Sequence, residues 1–264
     1  MKVRIRYEKG DEQRFLGHLE VMRALVMALA RAGWPVEMTK GYTPRPKVEM
    51  VAPLPVGTAG FNEVADVYLS EDRPIEELAR SLAKAMPPGF KLKEVWRISP
   101  DETALERRIT ASTYRVLVYG AEHASLKRAV DRFLDREEAK YAREIPDHAP
   151  ETPKPPDASR KSREIDLRPF VSRIEVTSGD EPALSSADGT ALATSGEVSP
   201  PLLKMVLRHF EGRTVRPAWV LEYLVKHCGL EGVDPRESVV DREWLDWGDG
   251  GSHGSRDPRK RRQV

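Results

Sequence analysis

Apolar and polar residues alternate over Lys2–Tyr7, with Val3, Ile5 and Tyr7 on one side and Lys2, Arg4 and Arg6 on the other. A period of two predicts a half-buried strand. From Leu19 the period lengthens: Leu19, Met22, Leu25, Val26 and Leu29 recur at helical spacing, and Gly33 stands where a helix C-terminus calls for a left-handed residue. Trp34–Lys40 and Lys47–Val51 read as short strands around a proline-containing loop, and Glu63–Leu69 as a further strand. Ile75, Leu78, Ala79, Leu82 and Met86 mark a second helix closed by Pro87-Pro88-Gly89, and Leu92–Ile98 completes the unit. The order is β-α-β-β-β-α-β, a ferredoxin-like plait with one extra strand.

A similar pass begins near Thr113. Tyr114, Val116 and Val118 alternate with Arg115, Leu117 and Tyr119, and Leu126, Ala129, Val130, Phe133 and Leu134 form a helical stripe. Ile165–Val176 and Pro182–Ala193 read as strands, Leu202, Leu203, Val206, Leu207 and Phe210 as a helix, and Val215–Val225 as the closing strand or helix. The expected fold class is therefore α+β, with two tandem ferredoxin-like (β-α-β-β-α-β-type) halves at residues 1–105 and 106–245. Within the second half, residues 144–163 carry five prolines and few apolar side chains, which predicts a disordered insertion or an extended hairpin tip. The tail, residues 246–264, ends in Arg259-Lys260-Arg261-Arg262 and has too little apolar surface to fold. A solvated terminus is its first reading and an RNA-adhering segment its second.

Composition narrows the class. With 264 residues, 39% hydrophobic and 32% charged, the chain suits one large or two small domains. No apolar run approaches the roughly 20 residues that cross a bilayer, and the start alternates like a strand rather than a signal peptide, so no membrane contact and a cytoplasmic location are expected. The net charge of +1 gives nucleic-acid binding no support from the total, and any such case rests on local clustering. Cys228 is the only cysteine, which excludes an internal disulfide and any iron–sulfur cluster held by several thiolates of this chain. The six histidines, at 18, 123, 148, 209, 227 and 253, share no metal-ligand spacing, so no metal is expected.

Candidate chemistry concentrates in two heptads, Arg14-Phe15-Leu16-Gly17-His18-Leu19-Glu20 and Gly41-Tyr42-Thr43-Pro44-Arg45-Pro46-Lys47. His18, at the mouth of a helix, reads either as a proton-transfer group or as a histidine that caps the helix. Two prolines stiffen the second heptad, so Arg45 and Lys47, with Arg14, are candidate anion ligands and Tyr42 a stacking surface. Lys2, Arg4, Arg6, Lys93 and Arg97 are expected on the open face of the same sheet, the way ferredoxin-like RNA-binding modules present basic groups. Asp166 between Arg163 and Arg168 reads as a catalytic group or, more simply, as a structural ion pair.

Both heptads resemble the radical-SAM-linked protein family, whose members carry R-F-L-S-H-L-D-like and G-F-N-P-H-P-K-like stretches; Arg163-Glu164-Ile165-Asp166-Leu167-Arg168-Pro169 resembles a third, R-E-I-D-L-R-P. Gly17, Glu20, Thr43 and Arg45 replace the family's Ser, Asp, Asn and His, so only one of two histidines is present. The resemblance implies a chain without its own cofactor that works beside a separate radical-SAM protein carrying an iron–sulfur cluster, S-adenosylmethionine and cobalamin. Three functions follow: a substrate-recognition or accessory protein in RNA modification, a metal-independent RNA-processing enzyme using His18, or a protein-binding scaffold. Salt-sensitive RNA retention separates the first two from the third, and RNA cleavage without metal separates the second from the first.

Overall fold

The computed structural model describes residues 1–143, 163–177 and 200–247. Its first half runs β1 (Lys2–Lys9), α1 (His18–Arg31), β2 (Val48–Met50), β3 (Thr58–Tyr68), α2 (Ile75–Ala85) and β4 (Phe90–Ile98). The second runs β5 (Ile109–Leu117), α3 (His123–Leu134), the hairpin β6 (Lys140–Arg143) and β7 (Arg163–Asp166), then β8 (Val171–Thr177), β9 (Leu202–Arg208), α4 (Pro217–His227) and β10 (Val239–Trp247). The chain is a mixed α+β protein whose described residues form four α-helices and a mostly antiparallel sheet. Seven strands follow in the order β4-β1-β3-β10-β5-β9-β8, and β2 pairs the far end of β3. No described helix is long and apolar enough to cross a membrane.

Three apolar clusters hold these layers together. Val3, Ile5, Tyr7, Ala65, Val67 and Val95 pack beneath Val21, Leu25, Leu29, Leu78 and Leu82 of the first two helices. Leu203, Met205 and Leu207 of β9 join Leu126, Phe133, Leu221 and Leu224 in the second half. Between the halves, Val51, Val64, Trp96 and Ile98 meet Leu105, Ile109, Leu245 and Trp247. The last cluster covers the back of the β1–β4 sheet, the face expected to be open.

That face is where expectation and structure part. Arg4 is 2% exposed and Lys2 3%. Arg4 grips Asp66 through Nε at 2.6 Å and a terminal nitrogen at 2.9 Å, and Glu102 lies 3.0 Å from its other arm. Lys2 meets Asp66 at 3.1 Å. Arg6 bonds Glu94 at 2.8 Å beneath Trp96, Trp244 and Trp247, whose ring centres lie 5.2, 4.9 and 5.9 Å from its guanidinium carbon. Lys93 pairs with Glu8 and Arg97 with Asp72. β10 arrives from the far end of the chain to lay two of these tryptophans over the face, and no local pattern announces it.

Other differences have local causes. Trp34–Lys40 is not an extra strand; it contributes single bridges, Val36 to Leu69 and Met38 to Pro46, because prolines at 35, 44 and 46 lack the N–H that a ladder needs. The Leu202–Phe210 stretch is β9, not a helix. Its apolar run fits either period, and pairing with β5 on one side and β8 on the other decides. Ile165–Val176 divides into β7, a 3-10 turn over Arg168–Phe170, and β8. Leu19 points outward at 68% exposure while Val21 and Ala28 are buried, so the inner stripe of α1 is rotated from the expected one. The expected insertion (144–163), strand (182–193) and tail lie outside the described residues, apart from β7 at Arg163 and β10 at Asp246 and Trp247.

β10 closes the sheet with Asp241-Arg242-Glu243 at its centre, three charges in a strand that pairs on both sides. Each charge meets a different element. Asp241 accepts from Arg14 at 2.8 Å, Glu243 lies 3.9 Å from Arg115, and Arg242 donates through Nε to Glu63 at 3.0 Å. Arg242 also donates through its terminal nitrogen to Glu63 and, at 2.6 Å, to the Ala52 carbonyl. β3 makes room for this at Gly60, where a Cβ would stand 2.5 Å from Glu63 Oε1 and 2.7 Å from Leu54 Cδ1.

A buried ion pair is expensive to break by halves, since one charge is left without its counterion. Glu63→Ala is therefore expected to lower stability by roughly 3–5 kcal/mol, and replacing both partners with Met to recover most of that loss. Urea melts of the three proteins check this. A single variant within about 1 kcal/mol of the parent would contradict it.

Candidate functional site

The two heptads do not converge. Arg14 is 8% exposed, with Nε on Asp11 at 2.8 Å and its remaining nitrogens on Gly57 O and Asp241. Its carbonyl accepts from Lys9 Nζ, at the C-terminal end of β1. Lys47 sits at the other end: it lies 3.4 Å from Glu37 and over the ring of Tyr68, the residue opposite Lys2. Lys2 and Lys9 stand roughly 23 Å apart at the rise of an extended strand. Arg14 and Lys47 thus cannot close on one phosphate. Tyr42 and Arg45 are exposed on the 39–46 loop, where the Arg45 N–H donates to Thr39 Oγ1.

His18 opens α1. Glu20 caps the helix in place of a side chain at Gly17, accepting from the Gly17 N–H at 2.7 Å, while Glu20 N donates to Gly17 O at 3.1 Å. The imidazole lines a small cavity with Tyr7, Lys9, Leu54 and Glu63, and its Nδ1 has no hydrogen-bond partner. The cavity is about 10 Å³, the space of one water. Lys9 is tied to three carbonyls, those of Arg14, Leu16 and Thr58, at 2.9–3.1 Å. Burial, with Arg14 and Arg242 nearby, lowers its pKa to about 8 against the pull of Glu63. Burial and then the Glu63 charge push the Tyr7 phenol well up.

Asp166 and Arg168 serve the chain. Asp166 Oδ1 accepts from Ala139 N at 2.8 Å and Arg168 N at 3.0 Å, bracing the turn after β7. Arg168 donates to the Arg136 and Leu134 carbonyls at the end of α3 and lies over Phe133. Arg163 pairs with Arg143 through the β6–β7 ladder.

The larger concave feature was not foreseen. A cavity of about 390 Å³ opens between the halves, walled by Pro53, Leu54 and Pro55 from one and Ile109, Tyr114, His209, Val215 and Trp219 from the other. The size is that of a small-molecule site. Arg242 reaches it from the seam, with Tyr114 in the same lining. Burial opposes the Arg242 charge, yet the Glu63 carboxylate outweighs it and the pKa rises. At the rim Arg216 is exposed, its guanidinium carbon 5.6 Å from the ring centre of Trp219. Tyr141 stacks on the same indole at 5.8 Å, held by its hydroxyl to Glu222 at 2.7 Å. Arg216 has no carboxylate within ion-pair distance among the described residues, whereas Arg4, Arg14 and Arg242 all do.

His209 follows β9, which pins it: its N–H donates to Thr110 O at 2.8 Å, and its Nε2 lies 2.7 Å from the Oγ of buried Ser112. Burial first, and then Arg242, lower its pKa to about 4, so the imidazole is neutral at physiological pH. Sequence reasoning weighed His209 only as a metal ligand. The usable signal was Arg216-Pro217-Ala218-Trp219, a proline in a first helical turn with a cation and an indole either side. Among the described residues no group of three or more His, Cys, Asp or Glu side chains could hold a metal ion.

Residues 2–217 match the model of a family described as "Uncharacterized protein conserved in bacteria (DUF2344)". A comparison with curated proteins found no match.

The neutral imidazole leaves a mark on stability. An unfolded histidine binds a proton near its ordinary pKa, while folded His209 resists until about pH 4, so stability is present at neutral pH and falls as pH drops from about 6.5 to about 4. His209→Gln is expected to flatten that part of the profile, read by urea melts at several pH values. An unchanged slope would contradict a buried neutral His209.

Proposed function

The chain belongs to that bacterial family, and we propose that it is a substrate-recognition protein, cytoplasmic, that holds RNA for a separate radical-SAM enzyme. The observation that carries the RNA part is Arg216, which has no carboxylate partner among the described residues and lies over Trp219 at the rim of the 390 Å³ cavity. Stacked arginine beside an aromatic ladder suits a single-stranded base and its phosphate. The radical-SAM part rests on the three stretches that resemble the radical-SAM-linked family, and on the single Cys228, which cannot anchor the cluster such chemistry requires. In this reading iron–sulfur cluster, S-adenosylmethionine and cobalamin all belong to the partner.

We also read the architecture as two ferredoxin-like halves joined edge to edge. Two observations support this: the order β-α-β-β-α-β within each sheet half, and the strand orders β4-β1-β3-β2 and β10-β5-β9-β8, which correspond position by position. The cavity then lies at the junction of two units, a common place for a ligand.

The reading of a metal-independent enzyme based on His18 loses ground to the 10 Å³ space beside it. The protein-binding reading keeps one specific observation. Phe15 at 73%, Leu19 at 68% and Val56 at 65% are exposed beside the start of α1, a surface suited to a protein partner.

Binding of a labelled single-stranded RNA, measured by anisotropy across salt concentrations, tests the proposal. Arg216→Ala is expected to weaken affinity by roughly tenfold and to lower the salt slope by about one contact. Arg45→Ala/Lys47→Ala should leave both nearly unchanged. RNA binding that ignores Arg216, or none at all in the parent, would overturn the RNA reading.

A further inference from the structure

The groups inside the cleft differ in kind from the cation at its rim. Arg216 answers to a negative charge. The same lining holds the exposed carboxylate of Glu106 and, without net charge, the hydrogen-bonding groups of Tyr114, Thr214 and His209, against Pro53, Leu54, Ile109 and Val215. Arg242 is already matched by Glu63. A second anion therefore has no cation waiting for it inside, and a purely apolar ligand would strand the phenol and the imidazole.

The His209–Ser112 pair sharpens this. Ser112 is fully buried, and its hydroxyl can donate to Nε2 or accept from it. Whichever it does, the ring stays fixed and Nδ1 takes the complementary role, donor in one tautomer and acceptor in the other. Tyr114 lines the same wall as Arg242, and its phenol can both donate and accept. A flat heterocycle with donors and acceptors on one edge, linked to an anion, matches each of these groups.

From this we infer that the cleft takes one nucleotide base first, with the base edge on His209 and Tyr114 and the phosphate on Arg216. The inference rests on the cleft assigned above as the RNA site and names what enters it. The nucleotide can be free or part of a strand, since both present the same base and phosphate. His209 is then a specificity residue and Ser112 a positioning residue that acts through it.

The test uses the full chain and two probe sets: the four ribonucleoside 5′-monophosphates with ribose 5-phosphate, and the labelled single-stranded RNA. Calorimetry on the parent is expected to show at least a roughly tenfold spread among the four bases, the size that a good base-edge pair confers. His209→Leu should narrow that spread to less than about threefold and keep the contribution of the phosphate, while Arg216→Ala should weaken all four alike. Should His209→Leu fail to fold, Ser112→Ala keeps the ring, removes its anchor and reads the same narrowing.

Equal affinity for all four bases and for ribose 5-phosphate would overturn the inference, leaving an anion site alone. RNA binding dependent on Arg216, with no free nucleotide bound and no effect of His209, would also overturn it while the RNA reading survives. Base-selective nucleotide binding without RNA binding would support the inference and remove the RNA reading.

Discussion

The structure depends on one buried ion pair. Glu63 of β3 and Arg242 of β10 meet where these two strands run parallel over three residues, the only parallel contact in the described sheet. Two charges removed from water are tolerable only when they face each other and their remaining donors are satisfied. Here the Ala52 carbonyl takes a further donor of the arginine, and Gly60 supplies the space. The same guanidinium lies beside His209 and helps to hold it neutral. Seam, cavity wall and the charge state of its histidine thus share one cause.

The basic residues sort by what they face. Lys2, Arg4, Arg6 and Arg14 stand in the strand and heptad that first suggest an anion site, yet each is matched by a carboxylate of this chain, and Arg6 is roofed by indoles. A paired, buried cation costs a ligand the energy of breaking the pair before anything is gained. Arg216 carries no such cost. Its helix starts directly after it and Trp219 holds it flat, so little freedom is lost on contact.

What could be read from the chain alone follows the reach of each interaction. α2 and α3 have their expected inner stripes, Leu78 with Leu82 and Leu126 with Phe133, because helix amphipathicity is written within a few residues. Gly33, at φ +69°, ends α1 as its position suggests. β9 was misread because a two-sided central strand is apolar on both faces. β10 was missed because Asp241, Arg242 and Glu243 look like a loop until their partners at 14, 63 and 115 are known. The candidate site suffered most, since it joins residues 53–55, 114, 209 and 216 from two halves, and no local spacing encodes that meeting.

Photocrosslinking of a single-stranded RNA to the full chain, with the attached peptides mapped by mass spectrometry, tests most directly whether the seam cleft is where RNA sits. Adducts on Tyr114, His209 or Trp219, lost on competition with unlabelled RNA, are the predicted result. Adducts confined to Tyr42 and its loop would contradict the account and return the site to the second heptad.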